Sequence, residues 1–328
     1  MKARTRRILL QTALAALATG PLALAPAQAE LAKGPITIVV PFAAGGATDV
    51  VTRLVGQKLS ERIHRTVVIE NVGGGGGVIG ATRVAHAAPD GTTLLMGTIA
   101  THVINPLTMS PRPYDASKDF TPVSLVVTVP NVLLVNKSVK ANSVQDLVAL
   151  LKEKPGQLSY GSSGMGTPPH LSGELFKSMA GVEMTHVPYK GGGPAMTDLV
   201  AGHIPILFDV LTGAASHVKA GSARALAVTT AERSASFPDI PTVAESGIPG
   251  FETWTWNAIF GPAGMPEDVT RELSQALQAV VAEPDVQTRL KELSATPVGS
   301  TQQVLADLVE SETKKWEPII QSVGLRKN

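Results

Sequence analysis

The sequence predicts an α/β protein built as two lobes, each a doubly wound sheet with flanking helices, and three observations carry that prediction. Strand-like and helix-like stretches alternate from Gly34 onward, the order that yields a parallel sheet covered by helices. The alternation comes as two series, one opening at "GPITIVVPF" and the other at "VSLVVTVPNVLLVNKS". Strand-like segments near residues 130 and 255 join the two series. Paired crossings of that kind suggest hinged lobes with a cleft between them, a common location for small-ligand sites.

The chain begins with a different signal. Lys2, Arg4, Arg6 and Arg7 precede the apolar run "ILLQTALAALATGPLALAPA" and then Ala27-Gln28-Ala29. A basic start, an apolar middle and an A-x-A site form a secretory leader, with cleavage expected after Ala29. Gly20, Pro21 and Pro26 interrupt the run, which argues against a membrane anchor, and no later stretch reaches the roughly 18 apolar residues a span needs. The Arg6–Arg7 pair leaves twin-arginine export open beside the general route.

In the first series, "GPITIVVPF" reads as a buried strand and "DVVTRLVGQKLSERI" as a helix with apolar spacing near 3.6. "TVVIENV" is a strand, "GVIGATRVAHAA" a helix opened by five glycines, and "PDGTTLLMGT" a turn and strand. The second series runs through the capped helix "SVQDLVALLKEKPG", the strand "LSYGSS", the helix "HLSGELFKSMAG" and the strand "EMTHVPY". It continues with the helix "GPAMTDLVAGH", the strand "IPILFDV", the helix "TGAASHVKAG" and the strand "ARALAVTT". Two charged-surface helices, "PEDVTRELSQALQAVVAE" and "STQQVLADLVESETKKWEPIIQSV", close the chain as packing elements. The expected division is residues 30–130 plus 256–328 in one lobe and 131–255 in the other.

Composition excludes several functions. Removing the leader's four cations from the 28 Lys and Arg leaves 24 against 27 Asp and Glu, a net charge of −3. Such a chain cannot neutralise a phosphate backbone, so nucleic acid is not an expected partner. The absence of cysteine removes disulfides, thiolate metal sites, cysteine nucleophiles and a lipid-modified N-terminal cysteine. No cofactor is expected. Gly75, Gly77 and Gly80 match G-x-G-x-x-G, but the following strand ends in Thr98 and supplies no acid for a ribose. "YGSSGMG" lacks nucleophile-elbow spacing, and the histidines are scattered.

Three strand-to-helix junctions rich in glycine remain: "PFAAGGATD" (41–49), "SYGSSGMGTPPH" (159–170) and "VPYKGGGPAM" (187–196). Each reads either as a tight turn before a capped helix or as an anion-binding helix end with free N–H donors. The first lies in one lobe and the others in the opposite lobe, so facing ends could hold both ends of a dicarboxylate. Hydroxyls of Ser162 and Thr167 add donors. Trp254 and Trp256 near the second crossing fit either aromatic stacking on a ligand or hinge packing.

The motifs "ITIVVPFAAGGATDVVTRLVGQKL", "VIEN-GGGG-IGA-VA-AAPDGTTLL" (dashes marking positions outside the match), "LSYGSSGMGTPPHLSGELF", "HVPYKGGGPAMTDLVAGHIPILFD" and "TTAERSASFPDIPTVAESGIPGFE" together resemble the tripartite tricarboxylate transporter receptors, the Bug-type periplasmic solute-binding proteins. The resemblance runs from about Gly34 to the C-terminus. It implies a two-lobed Venus-flytrap fold of periplasmic binding protein type (type II-like), no catalysis, and capture of a small carboxylate (a di- or tricarboxylate, an acidic amino acid or an aromatic acid) for a tripartite tricarboxylate-type membrane permease. A monomer is the default expectation. Carried over by motif, one carboxylate loop falls on Phe42, Ala43, Ala44, Gly45, Gly46, Thr48 and Asp49, after Pro41. The opposing loop falls on Ser162, Gly164, Gly166, Thr167 and His170. Tyr189, Lys190 and Asp209 line the same cleft, with Asp209 helping to select the distal group. One departure stands out: Val72 occupies the family's usual arginine position after "EN", ahead of the glycine run. Two other readings are a carboxylate sensor feeding a signalling partner and an exported hydrolase using Ser162 or Ser163 with His170.

Overall fold

Five consecutive apolar or β-branched residues make β1 (Ile36–Val40), an almost wholly buried strand, as a strand covered on both faces requires. Helix α1 (Ala47–Ile63) follows and buries Val51, Val55 and Leu59, one helical turn apart. The chain continues through β2 (Val67–Asn71), α2 (Val78–Ala85), β3 (Thr93–Thr98) and the short α3 (Asn105–Thr108). The computed structural model describes residues 33–322; the leader and its expected cleavage point lie outside them.

The long β4 (Phe120–Val135) leads into α4 (Val144–Glu153), β5 (Ser159–Ser162), α5 (Pro168–Ala180) and β6 (Thr185–Pro188). Then come α6 (Gly192–Ala201), β7 (Ile206–Val210), α7 (Leu211–Lys219), β8 (Arg224–Val228) and β9 (Trp254–Pro262). The chain finishes with α8 (Glu267–Ala282), α9 (Pro284–Glu292), the two-residue β10 (Thr296–Pro297) and α10 (Gln302–Ser322). Helix α4 begins in a reciprocal capping box between Ser143 and Asp146. Among the described residues, no helix is long and apolar enough to cross a membrane.

The strands lie in the order β2-β1-β3-β9-β4-β7-β5-β6, with β8 and β10 also paired to β4. The outer pairs β1–β2, β1–β3, β5–β6 and β5–β7 are parallel, as alternation predicts. The centre is antiparallel, because β4 and β9 each run from one half of the sheet toward the other. Strand parity then fills both faces. Ile38 and Ile259 enter one core with Val55, Leu273 and Leu277. Their neighbours Val39 and Phe260 enter another with Leu95, Trp256 and Trp316. In the second half, Leu133 and Phe208 pack with Phe176, while Leu134 and Leu207 pack with Met196. This alternation is the two-residue period of a strand covered on both sides.

Candidate functional site

Parallel strands end at helix N-termini, and here three such ends meet. Helix α1 starts after Gly46, α6 after Gly191 and α7 after Val210. A Cβ on Gly46 would stand 3.5 Å from the Gly192 amide nitrogen, and one on Gly213 would stand 3.1 Å from that of Ala47. Three positive helix ends facing one another favour an anion among them.

The point where they meet is a small cavity. Phe42, Gly46, Ala47 and Thr48 line it from the first junction, and Thr98, Thr255 and Asn257 from the ends of β3 and β9. Ser163, Thr167, Pro168, Pro169, Gly192, Asp209 and Val210 close the other side. Its volume is about 30 Å³, room for about two waters at the roughly 10–15 Å³ that each needs. Gly192 also borders an adjoining groove of about 390 Å³ formed with Ala44, Gly45, Gly193, Gly213 and His217.

Polar groups in the cavity are neutral except one. Asn257 Nδ2 donates to Thr48 Oγ1 at 3.3 Å. The Thr98 hydroxyl is buried and has no hydrogen-bond partner. Asp209 is 2 % exposed, and its nearest hydrogen-bonding side chain is Ser163, whose Oγ donates at 3.5 Å. Among the described residues no cation pairs with it. Burial pushes the Asp209 carboxyl up to about 7, against the lowering pull of the Val210 N–H and the Ser163 hydroxyl.

Of the residues singled out in the sequence, Phe42, Gly46, Thr48, Thr167 and Asp209 come together around this cavity. Others brace it. Asp49 Oδ2 accepts from the Gly45 N–H at 2.9 Å and from Arg53 Nε at 3.0 Å, and Oδ1 accepts from Asn71 Nδ2 at 2.9 Å. Burial opposes its ionisation, but the bonds from Arg53, Gly45 and Asn71 outweigh burial and hold its carboxyl below the usual range. The Ala43 N–H donates to the Lys190 carbonyl at 3.0 Å, joining the first and third junctions through backbone. The Lys190 side chain is exposed, and the Tyr189 hydroxyl donates to Asp198 at 2.7 Å.

The 162–170 junction differs from its expected role as a donor loop. Ser162 Oγ and Thr167 Oγ1 both lie within hydrogen-bonding reach of the Gly164 carbonyl, at 3.1 and 2.7 Å. Pro168 and Pro169 have no N–H, and the His170 N–H goes to Thr167 Oγ1 at 3.5 Å. His170 Nδ1 accepts from the Gly166 N–H at 3.1 Å and its ring stacks on His186. Most of the polar groups of this loop bond within it, and Ser163 is the serine that reaches the cavity. The hydrolase arrangement of a serine with His170 does not form: Ser162 Oγ is 2.6 Å from His186 Nε2 instead, and Ser162 is fully buried away from the cavity.

Val72 continues the sheet, its N–H donating to the Val40 carbonyl at 2.8 Å. Gly76 then adopts φ +65° with the Met165 carbonyl packed where a side chain would go. Trp256 is fully buried in the core, and Lys315 lies 5.7 Å over the Trp254 ring; neither tryptophan lines the cavity. Ala47, Ser163, Pro168, Pro169 and Gly192 line it from within the three junctions without having been assigned to a ligand, and Thr98, Val210, Thr255 and Asn257 line it from outside them.

A larger cavity of about 550 Å³ lies between β4, β9 and α10, lined by Phe120, Phe260, Ala306 and Val309 among others. Its Arg112 and Lys314 share the wall with Asp115 and Glu310, and none of the three converging helix ends reaches it. Among the described residues no cluster of three His, Asp or Glu could hold a metal ion.

The fold and these motifs have close counterparts. A Pseudomonas sp. (strain P51) protein named "UPF0065 protein in tcbD-tcbE intergenic region" is 41 % identical over 296 residues, covering 90 % of this chain and 88 % of that one. The structure of R. palustris Rpa4515 with adipate superposes with a TM-score of 0.88 at 39 % identity, over 90 % of this chain and 99 % of that one. MatC from Rhodopseudomonas palustris with bound malate gives 0.83 at 35 % identity, over 87 % and 98 %. The family profile described as "Tripartite tricarboxylate transporter family receptor" matches residues 51–325, and the chain belongs to that family.

Proposed function

We propose that this protein is a periplasmic receptor that captures a small carboxylate between its lobes and presents it to the permease of a tripartite tricarboxylate transporter. The observation that carries this reading is the convergence of three helix N-termini on a buried cavity lined by neutral donors. Neutral donors in a desolvated site bind a carboxylate well without a cationic side chain. The family membership and the adipate and malate held by two relatives support the ligand class. A receptor of this kind does no chemistry on its ligand, and the Ser162–His186 contact has no acid to orient it as a catalytic pair would.

In this reading residues 30–130 with 256–328 move against 131–255, and the leader is removed after Ala29. Phe42, Gly46, Thr48, Thr98, Ser163 and Asp209 face the ligand. Ala43, Asp49, Gly164, Gly166, His170, Tyr189 and Lys190 hold the loops that present them. The cavity is too small for a dicarboxylate until the seam at Ala43 and Lys190 parts, so opening precedes capture. Thermal-shift titration of residues 30–328 against mono-, di- and tricarboxylates, amino acids and neutral sugars tests the reading. A saturable rise with a carboxylate and none with sugars is expected from ligand linkage. A flat response to every carboxylate after unfolding and refolding would sink it.

A further inference from the structure

Resting on the carboxylate-receptor reading, we propose that the cavity takes a dicarboxylate only together with a proton, carried on the Asp209 carboxyl. Asp209 stands at the base of the site, and a Cβ on Gly192 would lie 2.5 Å from its Oδ1. The first turn of α6 therefore packs directly on the carboxylate. With no ligand carboxylate present, Asp209 is the anion that the converging helix ends see. A ligand carboxylate brought into the same desolvated space puts two like charges side by side, and such a pair does not ionise together. Protonation resolves the conflict and turns an acceptor into a donor. The O–H of Asp209 then hydrogen-bonds the distal carboxylate, and the proton comes from solvent.

The other titratable groups around Asp209 are paired, stacked or exposed. Strands β3, β4 and β9 contain no titratable residue, and Tyr160 of β5 donates to Glu174. Asp49 on α1 is paired with Arg53. His217 on α7 is bonded to Ser222. His170 and His186 stack on each other within their own junction. Lys190, before α6, is exposed. The unligated carboxyl sits near neutrality through burial, so the coupling falls in an accessible pH range. A ligand ammonium could also neutralise Asp209, but it would enter among three positive helix ends, which disfavours it.

The test is calorimetric titration of the wild-type receptor with adipate and with malate at pH 8, in buffers of different ionisation enthalpy. Both ligands are then fully ionised. The expected result is uptake of about one proton per ligand, with affinity weakening about tenfold per pH unit above 8. Asp209→Asn is expected to take up no proton and to bind at least about tenfold more tightly than wild type at pH 8.5. Binding with no proton uptake, or a Kd unchanged between pH 6 and 9, overturns the inference and leaves the receptor reading standing. Proton uptake that survives in Asp209→Asn also overturns it, as does binding confined to amino acids that weakens in acid. If the ligand panel of thermal shifts shows no carboxylate binding, the receptor reading itself has failed, and this inference with it.

Discussion

The α1 and α5 junctions look alike in sequence: a strand, a glycine-rich loop, a hydroxyl residue, a helix. In the structure they do opposite jobs. At α1 the N-cap is glycine, with no side-chain cap, and Gly46, Ala47 and Thr48 at its start line the cavity. At α5 the cap is Thr167, two prolines follow, and a histidine takes the Gly166 N–H. Glycine content marks where backbone can approach something; the fate of each N–H decides whether that something is a ligand or the loop itself.

The comparison breaks most completely where the α5 loop touches the glycine run. Gly76→Ala would drive a methyl into the Met165 carbonyl from a left-handed backbone, so the loops cannot seat together. Binding is expected to weaken about a hundredfold or more, ~2.7 kcal/mol, as measured by calorimetry, while circular dichroism stays native. Ala47→Pro tests the α1 amides directly. Gly46 has φ −80° and ψ 170°, a conformation that accepts a following proline, and proline suits the first helical position. Losing that one N–H should weaken carboxylate binding between about tenfold and a hundredfold.

Acid separates the junctions through stability. Burial holds His102 and His186 at about 3 and His170 at about 4. The unfolded chain protonates these groups near pH 6.5 and the folded chain does not. Their contribution is therefore present above about pH 6.5 and lost as pH falls toward 4. Asp209, raised to about 7, works the other way, adding stability as pH falls from about 7 toward 4. Unfolding free energies from urea titrations at pH 7 and pH 5 should differ by about 3 kcal/mol in net loss on acidification, and His186→Gln should reduce that difference.

Thr98→Val removes an unpartnered buried hydroxyl. It should stabilise the unliganded protein by ~1 kcal/mol while weakening binding about tenfold, two signs that a merely structural residue would not produce. The smallest effect belongs to Pro168→Ala. Restoring an N–H at a helix start that Thr167 already caps should change the Kd less than about twofold.

The alternating elements and the three glycine junctions were legible because hydrophobic period and helix starts are local properties. Asp209 and Thr48 were found with them, since both sit where a strand meets a helix. Thr98 is equally visible at the end of "TTLLMGT", where the dinucleotide motif asks only for an acid; a strand's C-terminal end at a crevice is a place to expect any ligand-facing group. Thr255 and Asn257 were hidden by the tryptophans between and beside them. On β9 the side chains alternate, so the large residues that draw the eye at 254 and 256 face away from the cavity that 255 and 257 line. The mixed centre of the sheet was not legible, because the direction of β9 depends on a pairing with β4 across more than a hundred intervening residues. Ser162 and Ser163 could not be told apart without knowing which face of β5 continues into the loop.

That pairing also sets an order of assembly. Phe120 meets Pro262 and Pro130 meets Trp254, while α8 and α10 supply core residues for strands that precede them by most of the chain. A nascent chain lacking its last eighty or so residues cannot complete either core beside β1 and β3, and contacts of such long sequence separation form slowly. Neither core closes, on this account, until α8 and α10 are present.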